Sequence, residues 1–311
     1  MIEKVIGIDI GGTTIKMALF DLTGLMLDQW HIATNLVNDG EEIPDEIIVS
    51  IKKRMAENNQ SLDEVLGIGI GVPGPVTEEV VKRAVNLGWT DFPLKQLIEN
   101  SLDIPVALVN DANAAALGEL WKGSSKQIRN IVFVTIGTGV GGGIIVDGKI
   151  INGTHASGGE IGHIPVQAEE ERICGCGNTN CLECYGSANG MVKTMNQLSN
   201  KTVVTNTKEI FNLLQAENPQ AQKTLKITID YLARAIAGIV NTLDPEEIVI
   251  GGGVSEAGSV FLEPLKESIN DYAFPQIAGN FNLRKAVLGN QAGMYGAAYQ
   301  VVNRLTKKGR E

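Results

Sequence analysis

The chain has 311 residues, of which 43% are hydrophobic and 20% charged, and its formal net charge is −10. No apolar run reaches the roughly 18 residues that a transmembrane helix needs, and the acidic balance argues against nucleic acid as the main partner. We expect a cytoplasmic protein, because no signal-peptide pattern is visible. The length favours two domains, with a small-ligand site expected in the cleft between them.

The first pattern along the chain is a strand, a glycine turn and a second strand, with β-rich runs at 5–10 and 15–20. Such a turn offers backbone N–H groups and hydroxyls to a phosphate, with no side chain blocking close approach. Asp9, at the mouth of the turn, is placed to reach a magnesium ion. Lys16 on the second strand is expected to face solvent, the usual position of a strand lysine. The turn residues are Gly11, Gly12, Thr13 and Thr14.

A helix is predicted from about Asp45 to Asn58, and a buried strand from Leu66 to Val72. The strand ends in a turn in which prolines stand beside glycines, from Gly71 to Pro75. The backbone near Gly71 is suited to hydrogen-bonding a ligand hydroxyl, and a plain structural turn is an equally good interpretation.

After an amphipathic segment at 94–102, a strand at 106–109 leads into Asn110 and Asp111, followed by an alanine-rich helix. Asp111 has two interpretations. It is either an ordinary helix N-cap or a carboxylate at the end of a buried α/β strand, where it could act as a general base. The two amides around it, Asn110 and Asn113, and the apolar strand before it favour the second.

The strand, turn and strand design recurs, with strands at 131–136 and 144–146 around a second turn. The chain is therefore predicted to be internally duplicated. Two such turns can hold one polyphosphate from both sides, whereas either alone is more often only a hairpin. Neither has the spacing of a P-loop or of a Rossmann fingerprint. The second turn comprises Gly137, Thr138, Gly139, Val140, Gly141, Gly142 and Gly143.

One histidine and three cysteines have the composition of a structural Cys₃His zinc site. Glycines stand between the cysteines, so the loop can fold back to present one nitrogen and three sulfurs. The alternative is a chance cluster of free thiols, which the grouping of all four cysteines of the chain disfavours. Cys184 is left over. Glu160 and Glu183 flank the ligands and suit polar ligand recognition. The predicted ligands are His163, Cys174, Cys176 and Cys181.

The second half of the chain is helical, with helices predicted at 187–198, 207–215 and 219–243. A strand at 248–250 runs into Gly251, Gly252 and Gly253, against which a flat base could lie. A strand near 283–288 and a helix at 293–305 close the chain.

With these residues in view, the sequence resembles the ROK family of repressors, open reading frames and sugar kinases. The most specific match is Gly159–His163 followed by Cys174–Glu183. The resemblance implies an α/β, two-domain actin/hexokinase-like (ribonuclease H-like) ATPase fold. We expect a small domain at 1–115 plus 292–311, a large domain with the zinc loop at 116–291, and a homo-oligomer, either a dimer or a tetramer.

The same resemblance implies the site residues. It makes Asp111 the catalytic base and lets His163 serve zinc and sugar through different ring nitrogens. The implied sugar ligands are Gly71 through its backbone, Asn110, Asp111, Glu160, His163 and Glu183. The implied nucleotide ligands are Asp9, Gly11, Gly12, Thr13, Thr14, Gly137, Thr138, Gly139 and Val140 for the phosphates, and Gly251, Gly252 and Gly253 for adenosine.

The reaction that the resemblance implies is transfer of the γ-phosphoryl group of MgATP to the 6-hydroxyl of glucose, with Mg²⁺ and a structural Zn²⁺ as the ions. A kinase for N-acetylmannosamine, N-acetylglucosamine or fructose would keep the same motifs. A sugar-responsive regulator would carry a DNA-binding module before the core, and we expect none because the first strand begins near residue 4. A non-catalytic sugar-binding protein is disfavoured, since Asp9, Asp111 and both turns are intact.

Overall fold

The computed structural model describes residues 3–308, which fall into two compact units. The first unit comprises 3–126, Asn152–Gly158 and 290–308, and the second comprises Gln127–Ile151 and Gly159–Gly289. The boundary predicted after residue 115 falls inside a continuous helix, Asp111–Trp121, all of which belongs to the first unit. Residues 1–2 and 309–311 of the predicted small domain lie outside the described residues. No described helix is long and apolar enough to cross a membrane.

The strands and helices of the described residues are as follows. The strands are β1 Lys4–Ile10, β2 Thr14–Asp21, β3 Met26–Ala33, β4 Val65–Val72, β5 Val81–Ala84, β6 Trp89–Phe92, β7 Val106–Asn110, β8 Ile131–Ile136, β9 Val140–Val146, β10 Lys149–Ile150, β11 Glu247–Gly251 and β12 Asn282–Lys285. The helices are α1 Ile43–Glu57, α2 Leu94–Leu102, α3 Asp111–Trp121, α4 Glu183–Gly186, α5 Ala188–Leu198, α6 Thr207–Gln215, α7 Pro219–Leu243, α8 Ser259–Tyr272 and α9 Ala292–Lys308.

The first unit is built on a five-stranded sheet in the order β3-β2-β1-β4-β7. β2 is antiparallel to both β1 and β3, whereas β4 and β7 run parallel to β1. One core lies between this sheet and α1, where Ile43, Ile47 and Ile51 recur at helical spacing and are fully buried. Pro44 in the first turn of α1 suits the helix start, because its missing N–H has no intrahelical partner there. The sheet thereby gains one covered face.

The other face of this sheet packs against α9. Val5 and Phe20 belong to this second core with Met294, whereas Ile6 next to Val5 belongs to the first, as strand alternation requires. The approach is close, because a methyl group on Gly69 in β4 would lie 1.8 Å from the carbonyl oxygen of Ala297. α9 therefore lies directly on the strands that carry Asp9 and Gly71.

The second unit repeats this topology. Its sheet has the order β10-β9-β8-β11-β12, with β8, β9 and β10 antiparallel and β11 and β12 parallel to β8. α7 and α8 supply much of its core, including Leu232, Ile236 and Phe261, all of which are fully buried. The predicted duplication and the actin/hexokinase-like α/β fold are confirmed.

The structure corrects several predicted boundaries. β9 begins at Val140, so the glycines at 141–143 belong to a strand and not to the turn. The glycines serve packing, because the loop that carries Ile161 lies close against this strand. A methyl group on Gly142 would lie 2.4 Å from Cδ1 of Ile161. α8 was not predicted, and its Pro264 is a residue that sequence rules exclude from helix interiors. β12 ends at Lys285, three residues before the predicted end.

Candidate active site

Asp9 is the last polar residue of β1 before the first glycine turn, and in the hairpin it lies opposite Lys16 of β2. Nζ of Lys16 is 3.8 Å from Oδ2 of Asp9, and it donates to the carbonyl oxygen of Asn290 at 3.4 Å. Burial raises the pKa of Asp9, and the charge of Lys16 acts in the opposite direction. The Lys16 side chain is partly exposed to solvent, as predicted, and its amine also lies beside the acid.

Hydrogen bonds at Gly11 hold the first turn. The Gly11 N–H donates to the carbonyl oxygen of Thr14 at 3.0 Å, and Oγ1 of Thr34 donates to the Gly11 carbonyl oxygen at 2.6 Å. Gly12 and Thr13 are exposed, and a methyl group on Gly12 would meet nothing within 4 Å. The turn thus leaves the main chain at Gly12 and the Thr13 side chain accessible to a ligand.

Asn110, and not Asp111, is the N-cap of α3. Oδ1 of Asn110 accepts the N–H groups of Ala112 and Asn113 at 3.0 and 3.1 Å. Nδ2 of Asn110 donates to the Gly74 carbonyl oxygen at 3.1 Å and to Oδ1 of Asp111 at 3.0 Å. The N-cap interpretation of Asp111 is wrong, since it is already the first helical residue. Its carboxylate is held by its neighbour and belongs to an exposed end of the helix.

Three neighbouring strands bring the predicted residues of the first unit to one edge. Asp9 of β1 pairs with Gly71 of β4, and Gly71 pairs with Val109 of β7, one residue before Asn110. Oδ1 of Asp9 is 3.8 Å from the position of a methyl group on Gly71. The register therefore groups Asp9, Gly71 and Asn110 at the same end of a parallel trio, where α/β sheets bind ligands.

In the second unit, the corresponding turn closes with a 2.9 Å hydrogen bond from the Gly137 N–H to the Gly139 carbonyl oxygen. The Val140 N–H donates to Oε2 of Glu183 at 3.0 Å. The glycines after β11 lie against the same hairpin. Gly252 has φ +81, and a methyl group there would lie 2.4 Å from the Ile136 carbonyl oxygen, so only glycine suits the position. Gly253 beside it is open.

His163 divides its two ring nitrogens between different partners. Nε2 lies 3.9 Å from Oε2 of Glu160, and both side chains are partly exposed. Nδ1 lies 3.7 Å from Sγ of Cys174. The single-turn 3₁₀ helix at Ile161–His163 sets these directions, and its N-terminal neighbour is Glu160.

The cysteines gather around this histidine. The four predicted ligand atoms all lie within 4.8 Å of one another, and Sγ of Cys176 is 3.7 Å from Sγ of Cys181. Cys184 is not part of the group. Burial raises the pKa of Cys181 to about 12, while the backbone at Asn178 lowers the pKa of exposed Cys176. The group has the size and the donor set that a tetrahedral metal site requires.

A buried arginine braces the loop that carries these ligands. Arg172 is 4% exposed, and its Nη1 donates to the Cys184 carbonyl oxygen at 2.8 Å. Its Nη2 donates to Oγ1 of Thr194 at 3.0 Å and to Oε1 of Gln197 at 2.7 Å, both on α5. The guanidinium also lies 4.6 Å from the centre of the Tyr185 ring. Arg172 thus ties the loop and α4 to α5.

Comparison with known proteins gives the family. The model of the ROK family matches residues 5–304. The chain belongs to the ROK family. A glucokinase of Halalkalibacterium halodurans is 41% identical over 95% of this ROK chain and 94% of its own length. A xylose repressor of Caldicellulosiruptor bescii is 30% identical over 97% of this chain and 79% of its own. A ROK family glucokinase from Streptomyces griseus, solved with glucose and AMPPNP, has a TM-score of 0.76 at 30% identity, covering 95% of this chain and 98% of that chain.

Within this ROK chain, the structure groups the predicted residues by unit. Asp9, Gly71 and Asn110 with Asp111 lie at one sheet edge of the first unit, and Glu183 lies on the second turn of the second unit. Sequence reasoning missed Arg172, for which no spacing signal exists. It also missed that Lys16 lies opposite Asp9. The hairpin register predicts this pair, because Ile10 pairs with Ile15 and the next pair outward from the turn is Asp9 with Lys16.

Proposed function

We propose that this ROK chain is an ATP-dependent glucokinase that transfers the γ-phosphoryl group of MgATP to the 6-hydroxyl of glucose. The observation that carries the proposal is the placement of Asp111 as the first residue of α3, directly after the N-cap Asn110, in a chain 41% identical to a glucokinase. The related structure that holds glucose and AMPPNP supports the same substrates.

Asp111 acts as the general base. The 6-hydroxyl oxygen forms its bond to the γ-phosphorus, its proton passes to the Asp111 carboxylate, and ADP leaves with the bridging oxygen. The first residue of a helix suits this role, because the positive end of the helix dipole favours a carboxylate there. Asn110 fixes the backbone on either side by capping α3 and bonding Gly74.

The two glycine turns hold the nucleotide phosphates through backbone N–H groups and threonine hydroxyls. The residues proposed for this role are Asp9, Gly11, Gly12, Thr13, Thr14, Gly137, Thr138, Gly139 and Val140, with Gly251, Gly252 and Gly253 against adenosine. The Asp9 carboxylate offers the oxygen ligand that magnesium prefers, and Lys16 beside it adds positive charge. Magnesium bound there supplies charge neutralisation for the transferring phosphoryl group.

Six polar groups are proposed as sugar ligands. In the second unit these are Glu160, Nε2 of His163 and Glu183, and in the first they are Asn110, Asp111 and the backbone at Gly71. A site built to pair with hydroxyls rejects sugars that lack one, because a buried partner is then left unpaired.

A structural zinc ion would be held by His163, Cys174, Cys176 and Cys181. The fit is good, because the 3.7 Å separation of the Cys176 and Cys181 sulfurs matches the edge of a tetrahedron with Zn–S distances of about 2.3 Å. Zinc supplies no chemistry to the reaction, because four protein ligands leave no open position. It fixes the loop from which Glu160, His163 and Glu183 project.

The test is a coupled ADP-release assay over glucose, mannose, N-acetylmannosamine, N-acetylglucosamine, fructose and galactose. We expect glucose to have the highest kcat/KM. A tenfold preference for another hexose would overturn the glucose assignment and keep the kinase assignment, whereas sugar binding without any turnover would overturn both. We also expect a homo-oligomer, which light scattering measures directly.

A further inference from the structure

The segment that follows the zinc loop contacts the second glycine turn at two points. Oε2 of Glu183 accepts the Val140 N–H at 3.0 Å. Five residues later, the Ala188 N–H donates to the Gly137 carbonyl oxygen at 2.8 Å. The two contacts lie on either side of Thr138 and Gly139. The segment Glu183–Ala188 therefore holds both ends of the turn that we assign to the ATP phosphates.

The carboxylate of Glu183 is packed against this turn and not merely near it. A methyl group on Gly139 would lie 2.1 Å from Oε2 of Glu183. In the same turn, a methyl group on Gly137 would meet nothing within 4 Å. Neither glycine has the left-handed backbone that excludes alanine. An added methyl group would therefore meet Glu183 at Gly139 and no neighbouring atom at Gly137.

A carboxylate has two oxygens, and the turn uses only one of them. Oε1 of Glu183 makes no hydrogen bond to another residue in the part of the chain that the structure describes. The base of the side chain is firmly held, because the carbonyl oxygen of the next residue accepts from Arg172 and Tyr185 stacks on that guanidinium. A ligand bound to Oε1 thus meets a side chain with little freedom except the orientation of its carboxylate.

We infer that Glu183 couples sugar binding to nucleotide binding, by accepting a sugar hydroxyl with Oε1 while Oε2 holds the Val140 N–H of the phosphate turn. This inference rests on the proposed function. A hydroxyl on Oε1 fixes the plane of the carboxylate, and a fixed carboxylate restrains the turn in the conformation that binds phosphate. Ordering that one ligand has already imposed does not have to be imposed again by the second, so affinity rises. The coupling is reciprocal, so the nucleotide raises glucose affinity by the same factor.

Calorimetric titration of the full chain tests this with AMPPNP and Mg²⁺, in the absence and presence of saturating glucose. For the wild type, we expect glucose to tighten AMPPNP binding by about fivefold or more. In Gly139→Ala, the new methyl group displaces the carboxylate from the turn, and we expect this factor to fall below about twofold, with glucose affinity changed by less than about threefold.

Gly137→Ala is the matched control, since it adds the same methyl group to the same turn away from Glu183. It can weaken AMPPNP binding, but we expect it to keep the wild-type coupling factor. Glu183→Asp provides a second route if Gly139→Ala does not fold, because the shorter side chain keeps its charge and cannot span the contact to Val140. It too should lose the coupling.

Retention of the wild-type factor in Gly139→Ala or in Glu183→Asp would overturn the inference, as would loss of the factor in Gly137→Ala. Binding of both ligands to the wild type without coupling would overturn this inference alone. Binding of neither ligand would overturn the proposed function and this inference with it.

Discussion

The two glycine turns share a strand pattern but carry charge in different ways. In the first hairpin, Asp9 and Lys16 lie opposite each other. The matching positions of the second hairpin are Thr135 and Gly141, neither of which is charged. The acid near the second turn, Glu183, comes from a separate segment and bonds the turn through its backbone.

The fifth strand of each sheet shows the same contrast. β7 of the first unit leads into Asn110 and Asp111, whereas β12 of the second ends at Lys285 and is followed by Ala286. The duplicated fold thus keeps its geometry in both copies, while the acids proposed for proton transfer and for magnesium occur only in the first.

The largest expected effect tests whether proton transfer depends on the first copy. Asp111→Asn keeps the shape of the side chain and removes the proton acceptor, so kcat should fall by at least about 10²-fold. Glucose affinity, measured by calorimetry, should change little. The control is Asp103→Asn, an exposed aspartate at a left-handed position that asparagine also tolerates, and it should keep normal turnover. Near-normal kcat in Asp111→Asn would exclude Asp111 as the base.

Exchanging the matching residues of the two hairpins sharpens the comparison. Asp9→Thr gives the first hairpin the residue of the second, and kcat/KM for MgATP should fall by about tenfold or more, with a raised requirement for free Mg²⁺. Thr135→Val removes only a hydroxyl from the second hairpin, and its effect should stay below about threefold. The measurement is kcat/KM for ATP over a Mg²⁺ series. A larger loss of kcat/KM in Thr135→Val than in Asp9→Thr would contradict the proposal that the first hairpin carries the magnesium ligand.

The two units also differ from the sequence-based predictions in ways that show which features local patterns can predict. The apolar spacing and the flanking residues predict α6 and α7 with the bounds that the structure has, and they mark α2 as an amphipathic segment with the same bounds. Recurrence of the glycine turn gave the duplication. Contacts between distant segments cannot be predicted from local patterns. The hydrogen bonds from Arg172 to α5 and from the Val140 N–H to Glu183 depend on tertiary packing alone. The strand glycines at 141–143 were assigned to the turn because their packing against the loop at 159–162 leaves no local signal.

The zinc loop of the second unit is proposed to position sugar ligands. Loosening this loop should therefore weaken sugar binding. Cys176→Ser should lower the zinc content well below one ion per chain and raise KM for glucose by about tenfold, because the loop that aims Glu160 and His163 is loosened. Cys184→Ser is the matched control, since Cys184 lies outside the group of four, and it should keep its zinc. Elemental analysis and initial-rate kinetics give both quantities. A zinc-free Cys176→Ser protein with normal KM would show that the metal loop and sugar site are independent.

Two arginines allow the stability of the regions to be compared. Arg172→Met should lower the unfolding free energy by about 2 kcal/mol or more, because several buried acceptors lose their donor. Arg54→Met in the first unit should cost less, since Arg54 is 34% exposed and Asp28 keeps its hydrogen bonds from Asn58 and the Gln29 N–H. The three tryptophans, Trp30, Trp89 and Trp121, all lie in the first unit, so urea unfolding followed by their fluorescence reports that unit and circular dichroism reports both. A larger loss of unfolding free energy in Arg54→Met than in Arg172→Met would contradict this expectation.

The smallest expected effect is the pH dependence of the Asp28 ion pair. Both carboxylate oxygens of Asp28 accept from Arg54 at 2.7 Å, and these hydrogen bonds lower the pKa of Asp28 below its ordinary value. A depressed folded-state pKa stabilises the protein fully above the unfolded pKa of about 3.9, and this contribution is lost as pH falls through the folded-state value. The stability difference between wild type and Asp28→Asn should therefore be constant near neutral pH and shrink below about pH 4. Urea unfolding followed by tryptophan fluorescence measures this difference, because Trp30 on β3 bonds Ser50 of α1, the helix that carries Arg54. A difference that grows on acidification would show that the pair does not stabilise the first unit.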